Sequence, residues 1–244
     1  GFEVSVICPK GPNDPSRQLI DGVHIYKYRP APDARGLLTF AIEFAYSWIR
    51  TAVLSLAVAR RARFDAIQAC NPPDTYWLLA LLWRTAGVRF VFDQHDLNPE
   101  LFISRFGEPQ SALQHAEFAA LSWLERMTYR AAHAVISTNE SYRRIAMERG
   151  RRPGEDVSVV RSGPDTRTMR PSYPDNPRPL DGIELAYLGI MGPQDGVDNA
   201  LRVVDELVNK RGRSEVRATL MGFGDSFEDL RRLATELNIN EHVT

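Results

Sequence analysis

The sequence predicts an α/β protein built from two Rossmann-like domains, and three observations predict it. Short β-branched runs alternate with helical segments along the 244-residue chain, which implies βαβ units and a parallel sheet. The stretch "RPSYPDNPRPLD" at 170–181 holds four prolines and no hydrophobic period, the composition of an inter-domain linker. After it, the alternation of strand and helix restarts. The expected organisation is a first domain over 1–168, a linker over 169–182, and the start of a second domain over 183–244.

Each element follows from local pattern. "EVSVIC" (3–8) reads as a buried parallel strand, then a Pro/Gly loop, then "GVHIYKYRP" (22–30) with alternating apolar positions. Residues 37–63 read as one long helix. "FDAIQA" is a strand, "DTYWLLALLWRTAG" a helix ending at Gly87, and "VRFVFD" a strand. Helix 111–130, strand "HAVIS", helix "NESYRRIAMERG" closed by Gly150, and strand "DVSVVRSG" complete the first series. The second comprises strand "IELAYLG", a helix from about 196 to 211, strand "EVRATLMGFG", and a helix from about 227 to 237. The chain opens on Gly1 almost inside a strand and ends on "NINEHVT", where the next strand would start. The expectation is an internal piece of a longer protein: a first domain without its first strand–helix unit and a truncated second one.

Composition narrows the class. The chain is 43% hydrophobic and 25% charged, as in a globular protein with a real core. A net charge of −1 with a pI of about 6.6 gives no basic field for nucleic acid. Lysine occurs at positions 10, 27 and 210 alone. Cys8 and Cys70 show no CxxC or Cys/His spacing, so neither a disulfide framework nor a zinc site is expected, and a reducing cytosol is the default. The apolar helix at 37–63 carries Glu43 and Arg50, whereas a membrane span wants ~20 nearly uncharged residues. Packing on a sheet is the favoured reading, a face lying on a membrane surface the second.

Four segments carry candidate chemistry. "VFDQHDLNPE" ends a strand, where open parallel sheets bind ligands. Asp93, His95, Asp96 and Glu100 offer hard metal ligands, but at no familiar spacing. Alternatively, Asp96 stabilises a turn and Pro99 opens a helix with Glu100 in its first turn; or His95 is a titratable group lining a cleft. In "YLGIMGPQDGVDNALRVVDEL", Gly189 and Gly192 permit close backbone approach, and the helix starting near Gly196 offers N–H groups to a diphosphate. Against that, Asp195 suits an N-cap answered by Asp198. Neither this loop nor "MGFGDSF" is GxGxxG. Arg161 in "VVRSGPD" either clamps phosphate or forms a salt-bridged hinge. In "STNESY", Ser137 or Asn139 suits a helix cap, and Arg143 and Arg144 suit a solvated helix face.

Together these segments, in this order, resemble the retaining GT-B glycosyltransferases of family 4, over nearly the whole chain. The resemblance implies a nucleotide-sugar donor (UDP- or GDP-sugar), a glycan or polyprenyl-linked acceptor, and no required cofactor or metal. It implies a catalytic His95, with Asp96, Asn139 and Glu140 on the acceptor side of the cleft. Gly189, Met191, Gly192, Gly196, Gly222 and Gly224, with Arg161, would border the donor. The family often has Arg after the first of these glycines and Lys before the one matching Gly196; here Ile190 and Asp195 stand there. A nucleotide-sugar epimerase and a non-enzymatic sugar-binding protein are the alternatives. The implied location is cytoplasmic, with peripheral contact at the inner face of the membrane.

Overall fold

The computed structural model describes residues 1–31, 37–170 and 182–244. The proline-rich stretch read as a linker lies, from 171 to 181, outside the described residues. The chain divides into two compact units, Gly1–Pro99 with Gln110–Ser162, and Glu100–Pro109 with Gly163–Thr244.

The first unit begins with β1 (Ser5–Pro9), β2 (Arg17–Ile20) and β3 (Val23–Tyr28), in the order β1-β3-β2. β1 pairs parallel with β3, as the sequence suggests, but β2 pairs with β3 antiparallel. The sequence reading leaves 17–20 in a loop, because "RQLI" has no alternation and all four residues are exposed. Its missed signal is Asp21-Gly22, whose φ values of 48° and 82° suit a tight two-residue hairpin turn. Helix α1 (Leu37–Arg61) follows. It buries Ser55 and Val58, and its Tyr46 meets Tyr28 of β3 edge-on, ring centroids 6.3 Å apart. Ile42, Ile49, Val53 and Leu56 are exposed, so packing on the sheet leaves an apolar stripe of this helix uncovered.

β4 (Ala66–Cys70), β5 (Arg89–Gln94), β6 (Ala134–Ser137) and β7 (Val157–Val159) form an all-parallel sheet in that order. Period-2 alternation puts Phe90, Phe92 and Gln94 of β5 on a buried face. Helices α2 (Trp77–Arg84), α4 (Ala112–Ala131) and α5 (Glu140–Glu148) contribute to the core through Trp77, Tyr129 and Ala146, which cluster with both phenylalanines and Val135. Burying each phenylalanine stabilises the unit by roughly 1.5–3 kcal/mol. α4 opens with a reciprocal cap: Ser111 Oγ accepts from Gln114 N at 3.2 Å, and Gln114 Oε1 accepts from Ser111 N at 3.1 Å. Arg149 donates to both oxygens of the buried Glu125 at 3.1 and 3.0 Å, tying the end of α5 to α4. Arg143 is not solvated as expected: its guanidinium donates to the carbonyls of Val157 and Gly154. The 9-residue α5 turns that side chain toward the chain entering β7.

The second unit pairs β8 (Ile183–Ile190) with β9 (Val216–Phe223) in parallel. Helix α6 (Val197–Asp205) runs on as a π-helical turn, Glu206–Lys210, where one helix was expected, and α7 (Phe227–Glu236) follows β9. Val197, Leu201, Val204, Ala218, Leu230 and Ile239 make this unit's own core. Helix α3 (Asn98–Phe106) starts at the last residues of the first unit and otherwise belongs to the second, where Arg105 meets Asp225 at 3.0 Å.

Candidate functional site

In the first unit the polar groups gather at the carboxyl ends of β4 and β5. Strand period places Asp93 and His95 on the face opposite Phe92 and Gln94, which brings His95 Nε2 to 3.3 Å from Asp93 Oδ1. The His95 side chain is 45% exposed, enough for a ring nitrogen to meet a ligand, while Asp93 is 14% exposed. Asp93 Oδ2 accepts from Gln68 Nε2 at 2.8 Å. Cys70 is the register partner of Asp93 on the neighbouring strand, with Sγ 3.7 Å from Asp93 Oδ2. Burial and then the Asp93 carboxylate push the Cys70 thiol up. Spacing argued against a metal role for Cys70, yet Cys70, Asp93 and His95 lie with one ligand atom each within 4.8 Å of the others.

A buried asparagine holds the loop. Asn71 is 5% exposed; its Oδ1 accepts from His95 N at 2.9 Å and Asp96 N at 3.2 Å, and its Nδ2 donates to Asp96 O at 2.8 Å. One side chain therefore satisfies three backbone groups and fixes where His95 leaves the sheet. Asp74, also buried, accepts from Asn98 at the start of α3. Burial pushes its carboxyl up to about 6, against the hydrogen bonds from Asn98 and Asn71 and with help from Asp96. Behind the site, Gln94 Nε2 donates to Tyr129 OH at 2.7 Å and Ser137 Oγ donates to Gln94 Oε1 at 3.0 Å, so these buried polar groups are paired. Sequence reasoning missed Gln68, Cys70, Asn71 and Asp74, although "QACNPPD" is a polar, proline-broken strand end like the one it singled out.

The remaining first-unit candidates have local roles. Asn139 caps α5, its Oδ1 accepting from Tyr142 N at 2.9 Å. Glu140 occupies the first turn of α5 and lies 3.9 Å from Arg143. Pro99 falls in the first turn of α3 together with Glu100, the first residue of the chain's passage into the second unit, and Arg161 is exposed after β7.

In the second unit, the loop after β8 folds as a 3-10 turn at Pro193–Asp195. Asp195 does not cap α6. Gly196 takes that position with φ 65°, and Asp195 Oδ2 instead accepts from Gly192 N at 2.7 Å. The left-handed Gly196 turns the chain before α6, aiming the preceding carboxylate back along the loop. Asp198 makes no cap either; it lies 3.8 Å from Arg202, one turn on. Gly222 and Gly224 serve close backbone approach. A Cβ on Gly222 would lie 1.9 Å from Gly189 O, and one on Gly224 2.6 Å from Met191 O. Met191 is buried in the core, and its N donates to Phe223 O at 2.8 Å.

A family profile described as a glycosyl transferase 4-like domain matches residues 1–163, more than half of the chain. The chain belongs to that family. No curated protein matches it. An E. coli structure described as trehalose-6-phosphate bound with UDP-2-fluoro glucose aligns with TM-score 0.59 and 13% identity, over 97% of this chain and 64% of that one. The Arabidopsis thaliana starch synthase IV catalytic domain, bound to ADP and acarbose, gives 0.57 and 11%, over 93% and 58%. A Burkholderia vietnamiensis UDP-forming α,α-trehalose-phosphate synthase gives 0.52 and 13%, over 96% and 59%. The chain thus spans less than two thirds of the length of each. At such identities the likeness is one of fold: Rossmann-like α/β units of the GT-B glycosyltransferase type.

Proposed function

We propose that the protein transfers a sugar from a UDP- or GDP-sugar donor to a glycan or polyprenyl-linked acceptor, with retention of anomeric configuration. Membership of the glycosyl transferase 4-like family supports the reaction class. The observation that carries the site is His95, half exposed at the end of β5 and pinned through its backbone by the buried Asn71. A ring held in place beside a sugar offers a polar contact that strengthens in the transition state. In this reading Asp96, Asn139 and Glu140 border the acceptor side. The loop from Gly189 through Met191 and Gly192 to Gly196, with Gly222 and Gly224, borders the donor. Charge on the leaving diphosphate is met by backbone N–H groups and Arg161, so the reaction requires no cofactor or metal.

The outward apolar face of α1 supports peripheral contact with a membrane carrying the acceptor. Among the described residues one helical stretch, Ile42–Arg61, is long and apolar enough to cross a bilayer by length and composition, and only 11% of its most apolar window is buried in the protein. A cytoplasmic enzyme at the inner membrane face, acting in polysaccharide assembly for the cell envelope, fits this reading. The test is incubation of the full-length protein with a panel of nucleotide sugars and lipid-linked acceptors. Acceptor-dependent release of nucleoside diphosphate, with the donor's anomeric configuration kept in the product by NMR, is expected. Isomerised donor would make the protein an epimerase, and binding without covalent change would make it a sugar-binding protein.

A further inference from the structure

We propose that Cys70, Asp93 and His95 form a binding site for a borderline-soft divalent cation, with Zn2+ the best fit. Sequence spacing hides the site, because the parallel register of β4 and β5 is what sets Cys70 beside Asp93 across 23 residues. His95 joins them as the next residue on the same face of the chain. Tetrahedral zinc, with bonds of ~2.0–2.1 Å to nitrogen or oxygen and ~2.3 Å to sulfur, sets donor–donor edges at roughly 3.3–3.8 Å. The separation of 3.3 Å between Asp93 Oδ1 and His95 Nε2 falls on such an edge, and Cys70 Sγ stands 3.7 Å from the other oxygen of the same carboxylate, Oδ2. One donor atom from each residue lies within 4.8 Å of the others, and small rotations of the carboxylate and of the half-exposed imidazole bring all three onto one ion.

The donor set chooses the metal. One thiolate, one imidazole and one carboxylate suit Zn2+, whereas Mg2+ and Ca2+ want oxygen ligands alone. Gln68 supplies the outer support, donating 2.8 Å to the Asp93 oxygen nearest the sulfur and so fixing the carboxylate plane. Three protein ligands on a solvent-facing strand end leave a fourth position open. Zinc bound here engages the ring nitrogen that the proposed transfer uses, so it inhibits transfer. That inhibition rests on the function proposed above; the binding does not.

The test is titration of the full-length protein with Co2+, followed by Zn2+ competition. A thiolate-to-cobalt charge-transfer band at one equivalent, displaced by Zn2+, is expected. Cys70→Ser abolishes the band and weakens Zn2+ binding at least tenfold, while Cys8→Ser leaves both unchanged. Circular dichroism melts establish that each variant is folded. Gln68→Leu, which removes no ligand, weakens Zn2+ by about tenfold. No band, a band that survives Cys70→Ser, or one lost in Cys8→Ser overturns the site. If zinc binds as described but leaves transfer unimpaired, the site stands and the role given to His95 fails.

Discussion

Asn71 shows how much one side chain can settle: it satisfies three backbone groups of the loop that carries His95 and so fixes where the imidazole leaves the sheet. His95→Ala is expected to lower kcat by about 10²–10⁴, the range for a positioned polar or proton-transferring group, with an unchanged melting temperature. Kinetics beside a thermal melt decide it; wild-type turnover would remove His95 from the chemistry, and a collapsed melt would make it structural. Asp74 is the pH-sensitive member of the group. Its folded value of about 6 lies above the ordinary 3.8, so its contribution to stability is full below pH 4 and lost as pH rises through 6. That difference amounts to about 3 kcal/mol of ionisation cost at neutral pH. Asp74→Asn, which carries no charge, is therefore expected to melt above the wild type at pH 8 and level with it at pH 4. Equal melts at pH 8 would contradict the buried, raised carboxyl.

At the scale of elements, most strands and helices were legible because burial imposes period 2 or 3.6 on the sequence. β5 is the clearest case: "RFVFDQ" alternates, and Phe90, Phe92 and Gln94 are the buried positions. β2 is not legible, since its four exposed residues carry no burial signal and are held by pairing with β3 and by polar contacts across it, Lys27 Nζ to Gln18 Oε1 and Arg17 over the Tyr26 ring. Cys70 could not be joined to His95 from spacing either, because register across two strands is a tertiary fact. The place of Asp195 before the helix suggests the cap of α6; the left-handed Gly196 takes that position instead. Its carboxylate engages Gly192 N, on the loop proposed to meet a diphosphate. Asp195→Asn keeps an acceptor for that N–H and removes the repulsion, worth about 1 kcal/mol at ~4 Å in water. Roughly fivefold tighter donor binding by calorimetry, with little change in stability, is expected; weaker binding would mean the charge serves the donor. Gly222→Ala instead sets a methyl against Gly189 O, where backbone rather than a flexible side chain must yield. A loss at the upper end of roughly 1–3 kcal/mol in denaturant unfolding is expected, and a neutral result would refute the tight β8–β9 contact.

On the scale of the whole molecule, each unit closes its own apolar cluster, one around Phe90, Phe92 and Tyr129 and the other around Val197, Leu201 and Val204. Two cores make two cooperative systems, so scanning calorimetry is expected to give a total enthalpy exceeding the van't Hoff value. Asp74→Asn should move the transition of the first unit alone; a single two-state peak would argue against separate cores. The covalent path complicates any attempt to isolate them. Because 100–109 belongs with 163–244, the chain passes from one unit to the other after residues 99, 109 and 162. A protease that cuts once near 162 therefore frees neither unit intact: the amino-terminal product keeps a helix that belongs elsewhere, and the carboxy-terminal product loses the Arg105 that faces Asp225.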